Sequence, residues 1–337
     1  MKKFFSVIIS VTLAISVTVT EVVKACNQRN SDFSSTVEEY LLNPNDNKYY
    51  PVRDLTNEFE QISLNTPRDL EFERKFENKR KNEEKEEKSK KLSGFHELIS
   101  FDRNSSLPIP GGVGYGVYYN SNFQYDFTYG TTLSYDIICP TQAGGDVNNY
   151  LYLTGTNRAA KGVEAFISYY GQNDFHFKVY DWALPESDRW KRNISYSALG
   201  DYLSTKTISG SSRQIISIQN RTVQVSNNQW ENIVWLWNYS TLTYDMIYYS
   251  DDYYYATLAD QKDSHYGSWG PIVETFQDYY YYDTNVVGFY LVQLMSKNNS
   301  LNWSGWELLT TDNSYTMPLA HGFSTVFSTP NHTFGVH

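Results

Sequence analysis

Residues 175–180 read Phe-His-Phe-Lys-Val-Tyr, so Phe175, Phe177 and Val179 fall on one face of an extended chain and polar groups on the other. Residues 163–170 repeat this period of two. Gly, Asn and Asp clusters separate further segments of the same kind, as turns do. Those predicted strands are 113–119, 132–138, 150–154, 215–219, 222–226, 231–239, 243–249, 272–277, 287–296, 305–310 and 322–327, with one short helix around 196–202.

This succession of short strands with polar turns predicts an all-β body, an antiparallel two-sheet sandwich of the jelly-roll kind. We place the body at residues 95–337, which is long enough to bury a sizeable core as a single domain. No repeat of about 20–50 residues is apparent, which disfavours a propeller or a solenoid.

The first 25 residues have the pattern of a secretion signal. Lys2 and Lys3 precede an apolar run over residues 4–20, and Val23 and Ala25 supply small residues for a peptidase site. We therefore expect a secreted, extracellular protein without a transmembrane segment in the mature chain, the alternative being an uncleaved anchor.

The chain has two cysteines, Cys26 and Cys139, so it is not a disulfide scaffold. Cys26 would be the first mature residue, which leaves lipid anchoring, a bridge to Cys139 and a free thiol all open. Cys139 follows two isoleucines, and this setting favours a buried structural cysteine.

Residues 26–94 differ in composition from the body, because the run over residues 79–88 is charged and contains no apolar residue. Such a run predicts a disordered or partly helical linker, acting as a spacer or a passive tail. The segment has 13 Lys/Arg and 15 Asp/Glu, and the body has 12 Lys/Arg and 22 Asp/Glu. Neither part has a positive field, which argues against nucleic acid and anionic membranes as partners.

Aromatic residues are concentrated in the body, which holds 27 of the 30 tyrosines and all eight tryptophans. Aromatic faces beside short polar side chains suit the C–H groups and hydroxyls of sugar rings. We therefore expect a carbohydrate-binding protein whose partner is an extracellular polysaccharide or glycan; the alternative is a toxin-like or adhesin-like module that binds proteins through the same rings. The candidate ligand-binding residues are Trp269, Trp303, Trp306, Tyr254 and Tyr280.

Two stretches place a carboxylate within an aromatic strand, Glu164 in residues 150–171 and Glu274 in residues 267–277. They resemble the strands of small Tyr-rich jelly-roll xylanases, and the body is similar to the concanavalin A-like sandwich class of lectins and glycosidases. The resemblance implies a further alternative, placed ahead of the toxin-like or adhesin-like module: a retaining glycoside hydrolase with Glu164 as nucleophile or base and Glu274 as general acid. Arg158 would then contact the ligand, and either Arg158 or Tyr169 would hold Glu164 ionised by a charge or a hydrogen bond.

Other familiar chemistries lack their motifs. The chain contains no HExxH, paired CxxC or GxSxG pattern, and its six histidines are scattered, so we expect neither a cofactor nor a catalytic metal. A structural Ca²⁺ is compatible with the carboxylates near residues 251–263, where the alternative is that Asp251, Asp252, Asp260 and Asp263 only form turns.

Overall fold

The computed structural model describes residues 38–74, 76–78, 113–119, 129–141, 151–156, 162–169, 175–226, 229–254, 272–277, 285–297, 302–318, 325–328 and 332–336. Residues Glu38–His337 form one compact unit. The predictions for the signal sequence, for Cys26 and for the charged run from residue 79 onward lie outside the described residues.

The described strands, numbered in chain order, form two sheets. The larger sheet comprises β1 (Tyr40–Asn43), β2 (Lys48–Asp54), β4 (Gly130–Ile138), β9 (Leu203–Ile208), β10 (Ser211–Ser226), β11 (Gln229–Asn238), β12 (Thr243–Tyr254), β14 (Val287–Ser296), β15 (Glu307–Leu308), β17 (Thr325–Ser328) and β18 (Thr333–Val336). The smaller sheet comprises β3 (Val113–Tyr119), β5 (Leu151–Thr156), β6 (Val163–Tyr169), β7 (Phe175–Asp181), β8 (Trp190–Ser195), β13 (Ile272–Gln277) and β16 (Ser314–Pro318).

Helices are few. The α-helix α1 spans Thr56–Asn65, residues 70–74 and 76–78 are helical, and 3₁₀ turns span Glu186–Asp188 and Tyr196–Tyr202. The last of these confirms the short helix predicted around residues 196–202.

The larger sheet runs in the order β1-β2-β12-β11-β10-β4-β14-β18-β17, with β9 beside β10 and β15 beside β14. Its β2 and β12 pair in parallel, with Tyr244 opposite Val52, so this sheet is mixed rather than purely antiparallel. The smaller sheet is antiparallel, in the order β16-β3-β13-β5-β6-β7-β8. The predicted two-sheet β architecture is therefore confirmed at this coarse level, and the jelly-roll and concanavalin A-like classification stays a prediction.

The main core lies between the two sheets, where the alternating apolar residues meet. Phe177 and Val179 of β7 belong to the same buried cluster as Leu133 of β4. Tyr135 of the larger sheet donates a hydrogen bond of 2.8 Å to the carbonyl of Ala165 in the smaller one. The period of two in the sequence arises because alternate residues of each strand face the other sheet and are buried against it.

Residues 38–78 belong to this unit, which corrects the prediction that residues 26–94 form a separate linker. Strands β1 and β2 extend the larger sheet, and Arg53 donates to the buried Asp245 of β12 at 2.7 Å. Phe72 and Phe76 are each 2% exposed, and their rings cover Phe166 on the outer face of β6. The sequence shows these apolar residues as a weak stripe, and the sheet supplies the surface that buries them.

Strand boundaries differ from prediction mainly where polar residues interrupt a strand. The segments predicted at 215–219 and 222–226 are one strand, β10, because Asn220 and Arg221 continue the ladder with β4 and β11. The strands that the sequence pattern missed are β1, β2, β8, β9, β16 and β18.

Cys139 is a buried free thiol, as its apolar neighbours predict. Burial raises the pKa of this thiol to about 12, so it stays protonated and unreactive at neutral pH. None of the helices in the described part of the chain is long and apolar enough to cross a membrane.

Candidate functional site

Glu164, the candidate nucleophile, does not line an open cleft. It lies on the outer face of β6 with no exposed surface, and the indole Nε1–H of Trp182 donates to its Oε2 at 2.9 Å. Phe166 and Tyr180, on the same face, are also fully buried. The side chain is therefore enclosed within an aromatic layer.

Glu274, the candidate acid, lies in β13 opposite Thr154 of β5, and Glu164 lies opposite Thr156 of the same strand. Since alternate residues share a face, the two glutamates lie on one face of the sheet, two strands apart and offset by two residues. This register separates their Cα atoms by roughly 12 Å on standard strand spacings. The side chain of Glu274 lies outside the described residues, so this backbone placement is all that the structure adds.

The predicted sugar-stacking rings are only partly within the described residues. Trp303 and Trp306 are half-buried, and Tyr254 ends β12 opposite Gln229, with its side chain outside the description. Trp269, Tyr280 and Arg158 lie outside the described residues. The large apolar side chains that are exposed among the described residues are Tyr40, Tyr49, Leu64, Leu70 and Leu242, none of them a tryptophan.

The most elaborate polar surface lies on the larger sheet, on the face turned away from the core. We call it the groove face and define it by Gln219 and Arg221 of β10, Glu231 and Trp235 of β11, and Gln293 of β14. These residues alternate with core residues such as Ile218 and Val234, so their direction follows from the strand pleat. All five are buried.

The sheet curls so that β1 and the turn after it lie over the groove face. In the ladder β1 is four strands away from β10, yet the carbonyl of Leu42 accepts a hydrogen bond of 3.1 Å from Gln219 Nε2. Asn45 Oδ1 accepts another, of 3.0 Å, from Gln293 Nε2 two strands further on. Only strong curvature allows both contacts, because a flat sheet would hold β1 and β10 about 19 Å apart.

Arg221 is held between two aromatic rings. Its guanidinium carbon lies 5.2 Å from the ring centre of Trp235 and 4.9 Å from that of Trp303. Its Nε donates to Thr132 Oγ1 at 2.9 Å, and its Nη1 pairs with Glu38 Oε1 at 3.0 Å.

Glu231 is a buried carboxyl on the same face, accepting a hydrogen bond of 2.9 Å from the Tyr249 hydroxyl. Burial raises the pKa of Glu231 above its ordinary value, although the Tyr249 hydrogen bond and the charges of Arg221 and Lys297 oppose that rise. Such a carboxyl is a candidate proton donor and acceptor.

A separate surface cavity of about 680 Å³ lies between residues 65–70 and the strands β7 and β8. His176 and Ser195 line it. His176 Nδ1 lies 2.7 Å from Asn193 Oδ1, which also accepts from the buried Lys178 at 2.9 Å. The cavity is open to solvent, and its two strand residues bond to groups that do not line it, His176 to Asn193 and Ser195 to Ser197.

The predicted calcium site is described only at Asp251, whose Oδ2 lies 3.3 Å from the Tyr249 hydroxyl oxygen. The side chain of Asp252 and the whole of Asp260 and Asp263 lie outside the description. Within the described part of the chain, no group of three or more His, Cys, Asp or Glu side chains is arranged to hold a metal ion.

No protein-family model matches the chain, and no curated protein matches it. Among solved structures, a scytalido-glutamic peptidase with a peptide-based transition-state analogue is similar at a TM-score of 0.35 and 12% identity, covering 67% of this chain and 97% of that one. SCP-B, a member of the eqolisin family of peptidases in complex with the tripeptide Ala-Ile-His, is similar at a TM-score of 0.33 and 11% identity, covering 64% of this chain and 94% of that one. Likenesses at this level do not assign the chain to the peptidase family.

The prediction of a carbohydrate-binding protein or glycoside hydrolase is not retained: the similar structures are described as peptidases, and the geometry of the described residues does not support it. The geometry gives a physical reason for the error. Glu164 is enclosed, and the half-buried ring of Trp303 is engaged by the guanidinium of Arg221. The toxin-like or adhesin-like alternative rested on the same exposed rings, and we do not retain it.

The sequence pattern did not reveal the groove face. The signal was present at residues 219–222, where Gln-Asn-Arg-Thr interrupts an apolar alternation. The sequence pattern predicts two strands that end and begin at this run, whereas polar residues inside one continuous buried strand require hydrogen-bond partners. Glu38 and Lys297 gave no such signal, since each is an ordinary charged residue in sequence.

Proposed function

We propose that this protein binds an extended polypeptide segment along the groove face, and that residues 38–45 occupy this place within the same chain. The observation that supports the proposal is a three-point attachment to Arg221, Gln219 and Gln293 through Glu38, Leu42 and Asn45. One of these contacts is a hydrogen bond to a backbone carbonyl, and the other two are to side chains. This combination suits an extended polypeptide.

Strand pairing supplies the second part of the binding mode. β1 is an edge strand that pairs with β2 from Tyr40 opposite Pro51 to Asn43 opposite Lys48. A polypeptide that replaced β1 would gain the same main-chain hydrogen bonds, which is recognition by β-strand addition. Leu41, 2% exposed, shows that the site also buries an apolar side chain.

The test is to exchange the occupant. A protease recognition sequence inserted between Asp46 and Asn47 separates β1 from the rest of the chain, and gel filtration then removes the released segment. We expect the cut protein to bind a fluorescent peptide of residues 34–45 saturably, as measured by polarisation, and to release it to unlabelled peptide.

A peptide with Leu41→Asp is the matched control and should lose binding at least about a hundredfold, because it would bury an unpaired charge. The proposal fails if the cut protein stays folded by circular dichroism, has lost residues before 47 by mass spectrometry, and still shows no saturable binding.

The buried carboxyl of Glu231 favours a second candidate, acid–base hydrolysis of the bound polypeptide. A carboxyl with a raised pKa keeps more of its protons at mildly acidic pH than an exposed glutamate does, which suits proton transfer to and from a reacting amide. Its side chain lies on the same face as Arg221 and Gln219, the residues that contact Glu38 and Leu42.

We expect the cut protein to hydrolyse an unfolded, self-quenched fluorescent casein between about pH 3 and 6, and Glu231→Gln to reduce that rate at least about a hundredfold. Peptide binding should persist in Glu231→Gln, which separates chemistry from binding. Equal turnover by both proteins, or none by the cut wild type, would exclude this candidate and leave the binding proposal standing.

A further inference from the structure

The guanidinium of Arg221 is preorganised for an anion. Two indole rings lie beside it and Thr132 Oγ1 accepts from its Nε, so the orientation of the guanidinium is restrained. A planar guanidinium held in this way loses little conformational entropy when it binds a carboxylate. The side chain is only 8% exposed, so water competes weakly for it.

A second cation, Lys297, lies beside the first. Its ammonium group is 5.7 Å from the centre of the Trp303 ring, and the polar contact described for it is a long hydrogen bond of 3.5 Å to the carbonyl of Gln224. Burial is the main cause that lowers the pKa of Lys297, and the neighbouring charge of Arg221 lowers it further. Two partly desolvated cations in one patch create a local field that favours a carboxylate.

A carboxylate from the segment that lies over the groove face pairs with one of these two cations. Glu38 pairs with Arg221 at 3.0 Å and lies 183 residues away in sequence. Its side chain is 43% exposed, so it sits at the mouth of the site and can be exchanged without disturbing the core. Glu231 also acts on both cations, but it faces them from β11 and is engaged by Tyr249.

We propose that Arg221, Lys297, Trp235 and Trp303 form a carboxylate subsite that selects an acidic residue in the bound polypeptide, with Glu38 as its intramolecular stand-in. This inference rests on the proposed polypeptide-binding function and names the chemistry that the groove face prefers. The ligand class is a polypeptide with Asp or Glu three residues before the apolar residue that replaces Leu41.

The test compares two peptides on the cut protein described above. The peptide of residues 34–45 should bind about five- to tenfold more tightly than the same peptide with Glu38→Gln, the scale of a charge-assisted hydrogen bond discounted for partial exposure. The ratio should shrink towards one as NaCl rises from about 20 mM to about 0.5 M, since exposed charges are then screened. A peptide with Glu39→Gln loses the same charge and is the control; its affinity ratio to the parent should not respond to Arg221→Lys, because the ion pair with Arg221 is made by Glu38.

Protein variants locate the preference. Lys297→Met and Arg221→Lys should each reduce the ratio of the affinities for the parent peptide and the Glu38→Gln peptide, the second because lysine keeps the charge but cannot stack between two rings. Equal binding of the two peptides at low salt would overturn the subsite and leave the polypeptide-binding function intact. Absence of binding by both peptides would overturn the function itself, and the subsite with it.

Discussion

At the scale of single residues, Lys178 is the least ordinary group in the fold. It has no exposed surface, donates to Asn193 Oδ1 at 2.9 Å, and lies 5.4 Å from the centre of the Phe72 ring. Burial lowers its pKa from 10.5 to about 8. At pH 7 the folded protein therefore holds a charged ammonium in an apolar, aromatic setting at a cost in free energy.

We predict that Lys178→Met raises the free energy of unfolding at pH 7 by about 1–2 kcal/mol, since an apolar side chain of similar length removes this cost. Because the pKa of Lys178 is lower in the folded chain than in the unfolded chain, the free energy of unfolding of the wild type rises with pH between about 8 and 10.5. The difference in free energy of unfolding between the variant and the wild type should therefore shrink over this pH range. Urea titrations at pH 7 and pH 9.5 measure both effects. The exposed Lys48→Met is the control, and a destabilised Lys178→Met with no pH-dependent difference would contradict the prediction.

At the scale of elements, the helical residues 70–74 and 76–78 are held by their aromatic side chains. The ring of Phe76 stacks on Phe166 at 5.5 Å and meets Trp190 edge-on at 5.0 Å. We predict that Phe76→Ala lowers the free energy of unfolding by about 3 kcal/mol, the usual result of deleting a buried ring. Leu70→Ala, in the same segment but 67% exposed, should change it by less than about 0.5 kcal/mol. Similar losses for both variants in chemical denaturation would show that the segment is not docked through Phe76.

The attachment of β2 depends on a buried carboxylate. Burial raises the pKa of Asp245, but hydrogen bonds from Arg53, Tyr202, Thr243 and Asn238 outweigh it and hold the pKa below its ordinary value. A carboxyl whose pKa is lower in the folded chain than in the unfolded chain stabilises the fold at pH values above its unfolded-state pKa. This stabilisation is lost as the pH falls through the folded-state pKa.

We therefore predict that Asp245→Asn lowers the free energy of unfolding by about 1–3 kcal/mol at pH 7, and that the difference in this free energy between variant and wild type narrows below about pH 4. Thermal unfolding from pH 7 to pH 2.5 measures it, with the exposed Asp312→Asn as control. A difference that stayed constant with pH would mean that the ionised form is not what the four donors stabilise.

At the scale of the whole molecule, the N-terminal segment and the β-body are one folding unit. A chain limited to residues 95–337 would lack β1, β2 and α1, leaving the edge of β12 unpaired and the aromatic layer around Phe166 uncovered. Unpaired edges and exposed apolar surface promote aggregation. We predict that this shortened chain aggregates or unfolds without cooperativity, whereas the full chain cut at a protease site inserted within residues 84–88 elutes from gel filtration as one complex. Clean separation into two folded pieces would restore the linker interpretation.

The sequence by itself determined the local pattern of the fold. Alternation in segments such as 163–169 and 175–181 specified which side of each strand faces the core between the sheets, because the strand pleat has a period of two and water penalises exposed apolar faces. It did not reveal that the opposite side of these two strands is buried as well. The buried state of Cys139 followed from its apolar neighbours in the same way. Weakly patterned elements such as β1 and β2 were missed, since they become strands by pairing with the sheet rather than through their own alternation.

Tertiary structure alone decided the candidate site. Glu38 meets Arg221 across 183 residues, and Asn45 meets Gln293 across 248, through a curvature that no local pattern encodes. The same long-range packing encloses Glu164 under Trp182. It also covers the outer face of β6 with Phe72 and Phe76, from the region that the sequence pattern predicts to be a separate linker. The strand pleat and the alternation of apolar residues involve neighbours in sequence, so the sequence reveals them. The curvature of a sheet and the pairing of distant charges depend on the whole sheet, so only the folded chain shows them.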